Sequence, residues 1–253
     1  MAWVVGGEPR AALAAGGEPR AALAAGGEPR AALTVLHVGR VGDEERSRLL
    51  AAAARAEPTV ALDATARRLL HGGFGDEGNG ASRDDPVQGA GGGPRRGRIP
   101  PTRQRTVELG AVEVGTAAVF ERVRRALLAW RVHLGAAVRV TPTNQPPEPG
   151  TTVVLEVGLG PLTAVAPCRV VDVVDRPGRF GFLYATLPGH PLRGMECFVV
   201  QHHPGGVRFE ITARSEPAGL LVRLGRPVLG HLQHRLISAY LDAARRAAVG
   251  RVD

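Results

Sequence analysis

No lysine occurs in this 253-residue chain; all 32 basic residues are arginine, set against 24 acidic ones, for a formal net charge of +8. With an excess of Ala, Gly, Pro and Val, that pattern reads as GC-rich coding bias. The arginines are scattered, so the charge does not by itself mark a nucleic-acid surface. Cysteine is scarce as well. Cys168 and Cys197 form no Cys-x-x-Cys pair, which leaves zinc and dithiol redox motifs without support; both stand in strand-like runs, as small buried hydrophobes do. No apolar run reaches the ~18–20 residues of a membrane span. The N-terminus has neither a basic start nor a continuous apolar stretch, so no signal peptide is expected and a cytoplasmic setting is the default. Aromatics make up only 4%. The catalytic templates are missing too: there is no Gly-x-Ser-x-Gly elbow, no P-loop, no dinucleotide fingerprint after a strand and no His-Glu-x-x-His.

What is present begins with 34 glycines and 20 prolines. Gly-Gly-Glu-Pro-Arg-Ala-Ala-Leu recurs from Gly6, Gly16 and Gly26. One Leu per ten residues cannot build a solenoid core, so residues 1–33 read as disordered, low-complexity repeats. Residues 34–71 hold short helical segments. One is expected over 43–56, with Asp43 as its cap, and a second over Leu62 to Leu70. Residues 72–101 form a Gly/Arg/Pro-rich linker.

From residue 102 to 250 the patterns describe one domain. A helix is expected over Thr116 to Val132, on the stripe Val119, Val123, Leu127. Strands follow at 151–157, 164–174, 179–186, 196–203 and 207–214. Asp175-Arg176-Pro177-Gly178 and Pro204-Gly205-Gly206 supply the turns. Phe180, Phe182 and Tyr184 share one face at period two, and the 207–214 strand alternates apolar with polar residues. One buried face is expected, covered by the Thr116 helix and by a helix over about 226–249. The fold class is therefore α+β: a curved antiparallel sheet gripping a long C-terminal helix.

Residues 181–198 read Gly-Phe-Leu-Tyr-Ala-Thr-Leu-Pro-Gly-His-Pro-Leu-Arg-Gly-Met-Glu-Cys-Phe. This resembles the hallmark Tyr-Gly-Thr-Leu-x-Gly-His-Pro-x-x-Gly-Glu-Glu-x-Phe of the DUF1990 (UPF0548) family, whose members are of unknown function. Cys168 to Val171, the Phe209–Pro217 strand, Gln233 and Tyr240 extend the resemblance over roughly 102–248. Two positions depart from it: Ala185 stands where Gly is usual, and Met195 replaces the first Glu. The family is similar to helix-grip proteins of the Bet v 1 and START type, which implies an apolar cavity between sheet and terminal helix.

His190 is the leading candidate for chemistry. It lies in a loop stiffened by Pro188 and Pro191 and opened by Gly189, and Glu196 is close enough in sequence to pair with it. The alternative is that the loop is a turn device which His190 holds by bonding backbone. Ligand-contacting candidates are Tyr184, Thr186, Gly189, His190, Arg193, Glu196, Arg214 and Ser215. Trp130 and Tyr240 are expected in the core, with the Tyr240 hydroxyl hydrogen-bonded. His202-His203 and the His231/His234 pair lack further ligands, so no metal and no cofactor is expected. The first functional reading is binding of a small apolar or amphipathic ligand between sheet and helix. An enzyme using His190 and Glu196 as acid and base stays open. So does a nonspecific arginine-rich binder of nucleic acid or anionic surfaces, for which Arg95, Arg96, Arg98, Arg103 and Arg105 form the densest cluster.

Overall fold

In the computed structural model, residues 36–72, 102–110, 116–218 and 226–250 are described. The decapeptide repeats and nearly all of the 72–101 stretch lie outside them. Eight strands form one antiparallel sheet: β1 (Leu36–Val38), β2 (Thr102–Gly110), β3 (Val138–Pro142), β4 (Thr152–Leu159), β5 (Leu162–Arg176), β6 (Arg179–Thr186), β7 (Leu192–His203) and β8 (Gly206–Pro217). Their order is β2-β8-β7-β6-β5-β4-β3, with β1 pairing the start of β5. From β3 to β8 neighbouring strands are joined by short turns, so only β1 and β2 arrive from distant sequence. The first of these turns after β5 is tight: Arg176 pairs Arg179 across Pro177-Gly178, with Gly178 at φ 74°.

Five helices cover the sheet: α1 (Asp43–Arg55), α2 (Ala64–His71), α3 (Thr116–Leu128), α4 (Arg131–Gly135) and α5 (Arg226–Ala248). α3, α4 and α5 lie on the inner face. Phe120, Val123 and Leu127 of α3 and Ile237, Tyr240, Ala244 and Ala247 of α5 join one core with Phe180, Phe182, Phe198, Phe209 and Ile211 of the strands. The alanines of α5 keep that helix close. A Cβ built on Gly135 would stand 3.0 Å from the Cβ of Ala243, where α4 meets α5.

Three expectations need correction. The helix expected over 116–132 breaks: Trp130 adopts φ 58°, ending α3 and starting α4 in a new direction. Asp43 does not cap α1; Gly42 holds that position, and Asp43 sits in the first turn. And the sheet has two buried faces, not one. α1 packs Leu49 and Ala53 on Val154, Val165 and Leu187, while α2 packs Ala66 and Leu70 on Leu183, Cys197 and Val199. Every residue of β6 is buried as a result. Asp63, accepting from the Ala66 N–H at 2.7 Å, caps α2.

Charged groups hold the outer layer in place. Arg46 of α1 and Glu156 of β4 form a buried ion pair, with Arg46 also donating to Val41 O at 2.7 Å. Arg179 donates to the last carbonyls of α2, Leu70 O at 2.8 Å and Leu69 O at 3.0 Å, and to Gln201.

Candidate functional site

The inner face of β6 and β7 carries Tyr184 and Glu196 directly opposite each other in register. The Tyr184 hydroxyl donates to Glu196 Oε2 at 2.5 Å, the one hydrogen bond Glu196's side chain makes among the described residues. Glu196 is half-buried as a residue, but its carboxyl is enclosed. Desolvation lifts it from its ordinary 4.5 to about 7, against the opposing pull of the Tyr184 hydrogen bond.

The break at Trp130 brings two more polar rings to this place. Trp130 and His133 are both fully buried. The His133 ring lies 4.8 Å from the Phe198 ring, 4.9 Å from Tyr240 and 6.2 Å from Tyr184. Among the described residues, Trp130 Nε1, both nitrogens of His133 and the Tyr240 hydroxyl have no hydrogen-bond partner. The Tyr240 hydroxyl lies beside that of Tyr184 without reaching hydrogen-bond geometry, which corrects the expectation that it is satisfied. Burial lowers His133 to about 3, so it is neutral. Burial, and then the neighbouring Glu196, push Tyr184, Tyr240 and Cys168 well up, so all three keep their protons. Four orphan polar atoms on three adjacent side chains are unusual in an interior where such groups are nearly always paired. Toward the start of α5 the wall thins: Leu232, Gln233 and Leu236 are half-buried, and Gln233 Nε2 donates to Ser215 Oγ at 3.1 Å.

The sequence-derived candidates fall into three groups. Tyr184, Glu196 and Ser215 stand on the inner side. Thr186, Arg193 and Arg214 instead hold the segment that joins α1 to α2: Thr186 meets Thr59 Oγ1 at 2.6 Å, Arg193 donates to Thr59 O at 3.0 Å, and Arg214 pairs with Asp63 at 3.3 Å. Gly189 and His190 build their own loop. The His190 N–H bonds Leu187 O at 3.1 Å across Pro188-Gly189, with Gly189 at φ 90°, and the Leu192 N–H donates to His190 Nδ1 at 2.8 Å. His190 and Glu196 share no hydrogen bond or ion pair among the described residues. Burial lowers His190 to about 4.

Sequence reasoning missed His133. The signal was there: it continues the apolar stripe through Leu127 and Trp130 by a further three residues, a polar ring on a buried face. The hallmark itself divides between the two faces of the sheet. Tyr184, Glu196 and Phe198 face inward. The two departures, Ala185 and Met195, pair with each other in register on the outer side, where Met195 packs against the cluster under α2. Gly194 is required by space: a Cβ there would meet Arg214 O at 2.0 Å.

Comparison with known proteins agrees with the hallmark. A UPF0548 protein of Deinococcus radiodurans is 42% identical over 81 residues, covering 32% of this chain. The chain spans 41% of the length of that relative. Solved structures offer distant likenesses. A hypothetical protein of Helicobacter pylori has a TM-score of 0.43 at 11% identity, covering 58% of this chain and 86% of its own. The ginseng major latex-like protein 151 of Panax ginseng has a TM-score of 0.38 at 10% identity, covering 62% and 99%. Ara h 8.0201 has 0.38 at 12%, covering 59% and 98%. Nothing about ligand or activity is carried over from them. The family model of the domain of unknown function DUF1990 matches residues 91–243, more than half of the chain, and the chain belongs to that family.

Proposed function

We propose that this protein binds a small, largely apolar ligand between the sheet and α5. The observation that carries the reading is the cluster of orphan polar atoms on Trp130, His133 and Tyr240, set among aromatic rings on the inner face. Each such atom costs roughly 1–3 kcal/mol when buried unpaired. A ligand that brings polar atoms to them recovers part of that cost, while its apolar body is held by Phe182, Phe198 and the helix. Aromatic walls with a few convergent polar groups are the usual makeup of small-molecule sites.

The test is a titration of the full chain with the neutral dye Nile red, alongside native mass spectrometry of freshly purified protein. Saturable one-site binding, or a retained small molecule, supports the reading. Absence of both would refute it.

A second reading, proton-transfer catalysis, draws support from Glu196 alone. A carboxyl near 7 exchanges protons readily at neutral pH. Under that reading Glu196→Gln abolishes turnover of a bound substrate and retains dye binding. His190 has no part in it, since its Nδ1 is engaged by its own loop.

A further inference from the structure

The donors and acceptors of the inner face restrict what charge a guest can carry. Trp130 Nε1 can only donate. His133, neutral, has one N–H and one bare nitrogen, and the Tyr240 hydroxyl has one O–H. Three donors therefore stand without an acceptor among the described residues. The inner core contains no arginine. The two buried guanidiniums, Arg46 and Arg179, lie in the outer layer and are engaged with Glu156 and with the end of α2. An anionic group would thus meet the Glu196 carboxylate with no counter-charge, and burying it unpaired is expensive. A cationic group would meet three donor hydrogens. A neutral oxygen acceptor matches what is present. The rings around His133, at 4.8–6.2 Å between centroids, offer aromatic faces on which a flat ring stacks.

Resting on the binding reading above, we propose that the inner-face site takes a neutral, ring-bearing molecule whose carbonyl or hydroxyl oxygen accepts hydrogen bonds from Trp130, His133 and Tyr240. The molecule lies against Phe198, with its polar end toward the three donors and its apolar body toward Leu232 and Leu236 of α5.

A series on one ring system tests this by calorimetry with the full chain at neutral pH: naphthol and acetylnaphthalene as neutral acceptors, naphthalene without oxygen, naphthoate as anion and naphthylmethylammonium as cation. The neutral oxygen-bearing pair is expected to bind at least about ten-fold tighter than either ion, and about three- to ten-fold tighter than naphthalene, the range of a net hydrogen bond. Tyr240→Phe and Trp130→Phe each lower naphthol affinity several-fold and leave naphthalene affinity unchanged. Naphthoate or naphthylmethylammonium binding as tightly as naphthol overturns the ligand class while leaving the binding reading intact. Naphthalene matching naphthol overturns the role of the three donors. If none of the five binds and Nile red also fails, the binding reading itself falls. Because the series is run on the unsubstituted protein, the proposal stays testable even if a variant does not fold.

Discussion

Replacing His133 with Phe should make the ligand-free protein more stable, the reverse of the usual effect of a core substitution. The His133 ring is fully buried, and both nitrogens lack partners among the described residues. Each orphan nitrogen costs roughly 1–3 kcal/mol relative to an apolar atom. Phe keeps the ring contacts with Phe198 at 4.8 Å and Tyr240 at 4.9 Å. Its larger ring costs about 1–3 kcal/mol in packing strain. The balance is a gain of about 1–3 kcal/mol. At roughly 2–4 °C per kcal/mol for a chain of this size, Tm should rise by about 2–12 °C. Scanning calorimetry of the two proteins measures it, and the same pair scanned with saturating naphthol adds a second readout. The ligand should raise Tm of the wild type more than that of the variant. A variant that melts several degrees below the wild type, with its fold intact, would mean that His133 is a satisfied structural histidine, and the argument from orphan atoms would be wrong.

Three further outcomes follow from other parts of the molecule. His133 and His190 have folded-state values near 3 and 4, below their ordinary 6.5, so each stabilises the fold above 6.5 and loses that contribution as pH falls; Glu196, raised from 4.5 to about 7, does the opposite, contributing below 4.5 and losing it as pH rises through 7. Between these values unfolding takes up a net of about one proton, and Glu196→Gln should raise that to about two, each worth about 1.4 kcal/mol per pH unit; urea midpoints measured from pH 4.5 to 6.5 should steepen, and an unchanged slope would sink the assignment. Gly194→Ala drives a Cβ against backbone that cannot yield and should cost about 3 kcal/mol by denaturant unfolding, whereas a loss under about 0.5 kcal/mol would contradict the close approach. Glu156→Ala leaves the Arg46 guanidinium buried without its partner and should cost about 3–5 kcal/mol, more than Arg46→Met with Glu156→Leu; equal losses in a double-mutant cycle would show that the pair is not coupled.

Much of the fold was legible because its elements carry strong local patterns. β6 was expected at its observed bounds, since Asp175-Arg176-Pro177-Gly178 dictates the hairpin and Phe180, Phe182 and Tyr184 mark one face. The terminal helix was equally plain. β1 and β3 escaped, each being a short edge segment whose strand character comes from its neighbour rather than from its own sequence. The outer layer was hidden for a different reason. Leu49 and Leu70 announce amphipathic helices, but nothing in a helical stripe says which sheet face it will meet, and on the strands the outer Val154, Leu183 and Val199 read as ordinary β-formers. At the site, Tyr184 and Glu196 were found through the hallmark. Their partners on α4 and α5 were not, because the turn at Trp130 that delivers His133 depends on a positive φ at a residue with no local preference for it.

The arginines illustrate how composition and structure can point in different directions. A net charge of +8 without any lysine invites a reading in terms of anionic partners. Yet guanidiniums are engaged at the ends of four helices. Arg169 donates to Ala53 O and Ala54 O at the end of α1, and Arg179 and Arg176 donate to Leu70 O and His71 O of α2. Arg246 donates to Gly135 O of α4, and Arg122 to Ala248 O of α5. A helix C-terminus leaves its last carbonyls unpaired and carries partial negative charge, so a planar cation with several donors satisfies both at once. Lysine, a single point donor, would satisfy fewer carbonyls per side chain. Five arginines thus have structural work that needs neither phosphate nor membrane, and they lie away from the inner face. The chemistry of the molecule therefore has to be sought where arginine is absent, among the neutral rings and the lone carboxyl between sheet and terminal helix.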